Sequence, residues 1–90
     1  MPKNRKSIFR HAVLVKGRRT SISLENEFWE ALMEIAKSEK TSATRLISEV
    51  DRARSTANLS SAIRVFVFSY FRFGRSRRKR WHALEAVRQR

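Results

Sequence analysis

The sequence predicts a mostly α-helical fold with one short β-ribbon, and three patterns lead to this prediction. Polar and apolar residues alternate from Arg19 to Leu24, which is the period of a half-buried strand. The acidic residue Glu25 follows directly and opens a segment with helical periodicity. Two more helical segments come next, separated by short polar breaks. We therefore expect one strand followed by consecutive helices.

The predicted strand has two unlike faces. Ile22 and Leu24 point to one side, whereas Arg19, Ser21 and Ser23 point to the other, because side chains alternate across a strand. A single short strand has no ladder partner, and the same strand of a second copy is expected to supply one. The product would be a two-stranded antiparallel ribbon at a dimer axis, and such a ribbon fits the major groove of B-DNA.

Three helices are predicted after the strand, at about residues 26–39, 42–54 and 59–73. The first two have one apolar face each, whereas apolar residues lie almost all round the third. The third helix is therefore expected to be buried on more than one side, which in so short a chain implies a second copy. The predicted core of this intertwined homodimer consists of Ile22, Leu24, Trp29, Leu32, Leu46, Ile47, Ile63, Phe66, Val67 and Tyr70.

Residues 1–17 are predicted to form a basic arm that contains a β-prone segment, residues 8–15. Apolar side chains occupy both odd-numbered and even-numbered positions of this segment, so a strand covered on both faces is expected. An alternative stays open, in which Gly17 and Arg18 turn the segment back onto residues 19–24 as a hairpin. Each copy would then supply two strands, and the central pairing of the dimer would change.

Residues 74–90 are predicted to form a basic tail, since Gly74 ends the third helix. Trp81, Leu84 and Val87 favour an extra short helix within it. A second DNA contact, an RNA-binding tail and a solvated end all remain open for this segment. The phosphate contacts predicted for the tail are Arg75, Arg77, Arg78, Lys79 and Arg80.

The net charge of +13 is concentrated at both ends of the chain. Residues 1–19 hold seven Lys or Arg and no acid, and residues 74–90 hold seven basic residues and one acid. This distribution is typical of a protein that binds a polyanion. No apolar run reaches the roughly 18 to 20 residues of a membrane span, so we expect a cytoplasmic, nucleoid-associated protein without a membrane contact.

Catalytic and metal-binding patterns are missing from the sequence. The chain has no cysteine, its two histidines are far apart, and it has neither a glycine-rich phosphate loop nor a cluster of carboxylates. We therefore expect neither an enzyme nor a bound metal or cofactor.

The order of strand, helix, turn and helix resembles the ribbon-helix-helix DNA-binding fold of the Arc, MetJ and CopG repressors. The resemblance is closer to a bacterial subfamily of small uncharacterised ribbon-helix-helix proteins, and it covers the chain from Arg18 to about Arg72. It implies a domain over residues 18–73. The matching residues are Arg19-Thr20-Ser21-Ile22-Ser23-Leu24-Glu25, Phe28-Trp29, Leu32, Ile35-Ala36 and Asn58-Leu59-Ser60-Ser61-Ala62-Ile63-Arg64.

The resemblance also implies roles for individual residues. Arg19, Ser21 and Ser23 would read base edges from the ribbon. The start of the second helix would hold a DNA phosphate through its free backbone amides. The residues expected at phosphates are Thr41, Ser42, Arg45, Arg18 and Lys16.

The leading hypothesis is a dimeric, sequence-specific protein that binds double-stranded DNA and represses transcription. One alternative is the antitoxin of a toxin–antitoxin pair, with a small acidic protein as partner. Another is a non-specific nucleic-acid-binding accessory protein that depends on the basic termini, and a further one is an adaptor whose ribbon only dimerises.

Overall fold

The fold is a β-hairpin followed by four helices. The computed structural model describes residues 8–55 and 57–89, so residues 1–7 of the predicted basic arm lie outside the described residues. The elements are β1 (Ile8–Val15), β2 (Arg18–Glu25), α1 (Asn26–Ser38), α2 (Ala43–Ala53), α3 (Leu59–Arg72) and α4 (Lys79–Arg88).

The two strands of the hairpin pair with each other in antiparallel orientation. Lys16 and Gly17 form the two-residue turn, with φ angles of 55° and 76°. Two central residues with positive φ make a type I′ turn, which matches the twist of the flanking strands. The hairpin alternative is thus confirmed. Within the chain, the ladder partner of β2 is β1.

The hairpin has a covered inner face and an exposed outer face. Ile22, Leu24 and Val15 are buried on the inner face, against the helices. On the outer face Ile8 and Leu14 are 53% and 56% exposed. The expectation that β1 is covered on both sides is therefore wrong for the single chain, because the helices pack against one face only.

The hydrophobic core lies between the inner face of the hairpin and the helices. Of the side chains predicted for the dimer core, all except Trp29 are buried within one chain. Burial of α3 on more than one side is confirmed, but α4 covers the additional side through Ala83 and Val87. The burial of these residues therefore does not require a second copy.

The turn between α1 and α2 is built without glycine. Lys40 takes a left-handed conformation with a φ of 57°. The amide of Thr41 donates to the carbonyl of Ala36 at 2.9 Å, and the Lys40 amide donates to the carbonyl of Lys37 at 3.2 Å. These two bonds form a Schellman motif, which ends α1 and directs the chain into α2.

The segment predicted as a basic tail contains the helix α4, and this helix packs on α2 and α3. Its buried residues are Ala83 and Val87, whereas Trp81 is 48% exposed. Of the apolar residues that favoured this helix, Val87 thus lies on its packed side and Trp81 does not. Residues four positions apart lie on the same helix face, so Ala83 and Val87 form the contact stripe.

The end of β2 is held to α3 by an ion pair. Arg64 Nε lies 2.7 Å from Glu25 Oε1, and this hydrogen bond lowers the pKa of the Glu25 carboxyl below its ordinary value. A carboxyl with a lowered pKa in the folded state stabilises the fold at neutral pH. That contribution is lost as the pH falls through the pKa of the folded state.

We expect Arg64→Met to make the stability of the fold less sensitive to acid. The methionine keeps an apolar stem but removes the donor, so the Glu25 pKa returns towards its ordinary value. For each variant, urea unfolding at about pH 6 and about pH 3 measures how much the free energy of unfolding falls between the two pH values. Arg88→Met, which removes an exposed pair with Glu85, is the control. An acid sensitivity identical to that of wild type would contradict the assigned role of this pair.

Candidate nucleic-acid interface

The outer face of the hairpin presents a row of polar side chains to solvent. Arg19, Ser21 and Ser23 are all exposed on this face of β2. Same-face neighbours on a strand are separated by about 6.8 Å. The structure therefore places the three residues predicted to contact bases side by side on one open surface.

The helix α3 fixes the position of this surface. Ser60 Oγ accepts a hydrogen bond from the Ser23 amide at 3.2 Å, close to the Arg64–Glu25 ion pair. Asn58 caps the helix and accepts a hydrogen bond from the Ser61 amide at 2.8 Å. The end of β2 is thus attached to a capped helix, so the strand is supported by a rigid element.

The N-terminus of α2 lies beside the outer face of the hairpin. Ser42 is the N-cap, and its side chain accepts a hydrogen bond from the Arg45 amide at 3.1 Å. Thr44 and Arg19 line one groove. Thr44 also lines an adjoining groove, together with Ser42 and Arg45. The predicted base-contacting and phosphate-contacting elements therefore form neighbouring surfaces.

Free backbone amides remain at this helix start. The Thr41 amide is used in the turn and the Arg45 amide in the cap. Within residues 8–55 and 57–89, the amides of Ala43 and Thr44 have no protein partner. These two amides, and not that of Thr41, are the donors that an anion at the helix N-terminus would meet.

A second basic groove lies between α2 and α4. It is lined by four arginines together with Glu49, Trp81 and Leu84; the arginines are Arg52, Arg77, Arg78 and Arg80. The Arg78 guanidinium lies 4.6 Å from the centroid of the Trp81 ring. Arg52 and Glu49 also line the groove at the start of α2. The grooves therefore adjoin one another from the hairpin along α2 to α4.

Other predicted phosphate contacts have partners inside the protein. Arg80 Nε donates to Glu49 at 3.0 Å, and Arg80 also pairs with Glu39 at 3.6 Å. The hydrogen bond to Glu49 raises the pKa of the Arg80 guanidinium. Because these two carboxylates pair with its charge, the Arg80 guanidinium is engaged within the protein, and its contact with a phosphate stays a prediction. Its role is to hold α4 against α1 and α2.

The remaining predicted phosphate contacts are dispersed. Lys79 Nζ lies over the Tyr70 ring and donates to the Gly74 carbonyl at 3.4 Å. The exposed Lys16 pairs at 3.6 Å with Asp51, whose side chain is largely buried. Arg75 and Arg18 are exposed, the first in the segment before α4 and the second at the turn end of the hairpin.

Two arginines on these surfaces were missing from the residues singled out in the sequence. Arg10 lies on the outer face of β1, directly opposite Ser23. Arg52 lies seven residues after Arg45 on α2 and lines the same groove. The i, i+7 spacing was a visible signal for Arg52. Arg10 had no such signal, because its place follows from the register of the hairpin.

The described residues contain no group of three or more side chains suited to hold a metal ion. Among the same residues, none of the helices is long and apolar enough to cross a membrane.

The comparison with protein families identifies the fold. The family model of the ribbon-helix-helix domain matches residues 8–71, which is most of the chain. The chain belongs to the ribbon-helix-helix family. Domains of this family bind DNA and regulate transcription, and they are regulatory domains rather than enzymes. No curated protein and no solved structure matches the chain.

Proposed function

We propose that this ribbon-helix-helix protein binds double-stranded DNA sequence-specifically as a dimer and represses transcription. The observation that carries the proposal is the exposed row of Arg19, Ser21 and Ser23 beside the free N-terminus of α2. A ribbon with a polar outer face fits the major groove, and a helix N-terminus beside it is placed to hold the adjacent phosphate. A nucleoid location follows from such binding.

The side chains of the row suit base recognition. Arg19 carries a planar guanidinium that makes bidentate contacts with guanine O6 and N7. The hydroxyls of Ser21 and Ser23 donate or accept, so they contact several bases and discriminate less strongly alone. Arg19 therefore provides most of the specificity, and the serines refine it.

A second copy is supported by exposed aromatic side chains on α3. Phe68 and Phe71 are 63% and 50% exposed, and Phe68 lines a groove with Phe28 and Val65. A second copy that covers these rings would present two hairpins to successive turns of the duplex. Half-sites on one DNA face are then about 34 to 36 Å apart, or a multiple of this distance.

Selection of random duplexes with the purified full chain at near-physiological salt tests the proposal. We expect enrichment of one short element, present twice with constant spacing. Size-exclusion chromatography with light scattering gives the number of copies on the selected duplex. A pool that stays random would contradict sequence-specific recognition, and one copy per duplex would contradict the dimer.

The arginines that line the groove between α2 and α4 support additional phosphate contacts, which would add to the affinity for DNA beside the row of Arg19, Ser21 and Ser23. Arg77→Ala with Arg78→Ala is expected to reduce the slope of log affinity against log salt by about 2, because each phosphate contact contributes about 0.9 to that slope. The enriched sequence should stay the same, since phosphate contacts carry no base information. Fluorescence anisotropy titrations at several salt concentrations measure the slope.

The matched control removes two basic residues from other surfaces. Lys37 is exposed in the last turn of α1, and Arg88 pairs with Glu85. The Lys37→Ala, Arg88→Ala variant has the same net charge as the groove variant. If both variants lower the salt slope equally, total charge and not the groove is responsible.

A further inference from the structure

We propose that the groove between α2 and α4 is a second nucleic-acid site, which binds an unpaired base of a single strand on the Trp81 ring and the phosphates of that strand on its arginines. This inference goes beyond the binding of double-stranded DNA proposed above and does not depend on it. The groove has a volume of about 540 Å³. Its α4 wall lies outside residues 8–71, so the family match does not account for this site.

An ion pair fixes the two walls of the groove relative to each other. Arg80 Nε on α4 donates to Glu49 Oε1 on α2 at 3.0 Å, and a second guanidinium nitrogen donates to Glu49 Oε2. A bidentate pair of arginine and carboxylate restricts both the distance and the orientation of the two side chains. The pair also occupies both oxygens of Glu49. An anion that enters the groove therefore meets no free carboxylate among the lining residues that the structure describes.

Three arginines of the groove carry charge that is open to a ligand. Arg52, Arg77 and Arg78 are exposed, and within residues 8–55 and 57–89 none of them forms an ion pair with a carboxylate. Arg52 belongs to α2, whereas the other two belong to the start of α4 and the turn before it. Cations on both walls suit a ligand that carries a row of negative charges along the groove.

The exposure of the Trp81 ring between these arginines is not explained by duplex binding. Trp81 is 48% exposed, and the Arg78 guanidinium lies over its ring at 4.6 Å from the centroid. With about half of the side chain still exposed, the ring has surface left for a second planar group. The bases of a duplex are stacked on each other, so their faces cannot reach this ring. The faces of an unpaired base are free to stack on an aromatic side chain.

The pattern of the groove favours a single strand over an acidic peptide. Arg78 and Trp81 are three positions apart, so a cation and a planar surface are neighbours on one side of α4. Leu84 is half-buried one turn later and continues the apolar surface. A single strand carries the matching alternation of phosphates and bases. An acidic peptide supplies carboxylates but no repeated planar group.

Fluorescence anisotropy of the full chain with a labelled oligodeoxyuridine and a labelled oligouridine, each of about 12 nucleotides, tests the inference. The two oligomers differ only in the 2′-hydroxyl, so the tighter one identifies the sugar of the ligand. We expect Trp81→Ala to weaken binding by at least about fivefold, the loss that corresponds to one stacked base. Trp81→Phe should keep most of the affinity, because a phenyl ring also stacks. The slope of log affinity against log salt should be the same in Trp81→Ala and wild type, because stacking releases no counterion.

Tryptophan fluorescence detects the stacking directly. A base on the Trp81 ring should quench the fluorescence of the wild-type protein, and this quenching should be absent from Trp81→Phe, where only Trp29 remains. This measurement does not depend on whether Trp81→Ala folds. The matched control is Phe9→Ala, which removes an aromatic side chain that is 52% exposed from β1, outside the groove. The affinity of this control for the single strand should equal that of wild type.

The outcomes separate this site from the surface proposed to contact the duplex. Equal losses of affinity in Trp81→Ala and Phe9→Ala, or fluorescence that no oligomer quenches, would overturn the stacking site. A polyglutamate peptide that displaces the strand and binds less tightly to Trp81→Ala would identify an acidic protein segment as the ligand, which would also overturn it. Affinity for the selected duplex should be the same in Trp81→Ala and wild type. Sequence-specific duplex binding therefore stands or fails independently of this site.

Discussion

Replacing Arg19, Ser21 and Ser23 together with alanine is expected to abolish discrimination between the selected duplex and a scrambled one. Loss of the Arg19 contact alone should cost about 1 to 3 kcal/mol at one position of each half-site. The serine hydroxyls account for the weaker preferences beside it. Affinity for scrambled DNA should remain, because the phosphate contacts proposed for the α2 N-terminus and the groove arginines do not depend on these three side chains. Competition binding with both duplexes measures the ratio of the affinity for the selected duplex to the affinity for the scrambled one.

The control for this variant is Arg88→Ala, which removes an exposed positive charge from α4, outside the hairpin. This control should leave the ratio of the affinities for the selected and scrambled duplexes unchanged. All three substituted hairpin residues are exposed, so thermal unfolding of the triple variant should match that of wild type. A triple variant that still prefers the selected duplex to the wild-type extent would show that another surface reads the DNA.

Phe66→Ala is expected to destabilise the protein by about 3 to 5 kcal/mol, since truncation of a buried aromatic ring loses its burial and leaves a cavity. Phe66 is fully buried on α3, in the core that the hairpin and the helices share. Small domains have a total stability of about 5 to 15 kcal/mol, so the loss is a large part of it. Urea unfolding followed by circular dichroism measures the change.

Phe68→Ala is the matched control, because the same ring is removed from the same helix at a position that is 63% exposed. In the monomer its effect should stay within about 0.5 kcal/mol. If a second copy covers Phe68, this variant should weaken dimerisation in light scattering instead. Equal destabilisation of the monomer by both substitutions would contradict the placement of Phe66 in the core.

Several elements could be predicted because their signals are local. The period-two alternation around Ile22 and Leu24 identifies a strand and also decides which side chains share a face with Arg19. The helical periodicity of the following segments places α1, α2 and α3 within one or two residues of their observed bounds. Such patterns depend on backbone geometry alone, so neighbouring residues are sufficient to reveal them.

Other features depend on residues that are far apart in the chain. Local alternation could not decide whether β2 pairs with β1 or with a second copy, and the cross-strand register alone brought Arg10 opposite Ser23. Similarly, the arginines near the C-terminus look alike in the sequence. Arg78 and Arg80 border the same groove, but Arg80 is paired with Glu49, whereas the Arg78 guanidinium lies over the Trp81 ring. Burial and charge pairing are properties of the packed chain, because they depend on which distant side chains the folded backbone brings into contact.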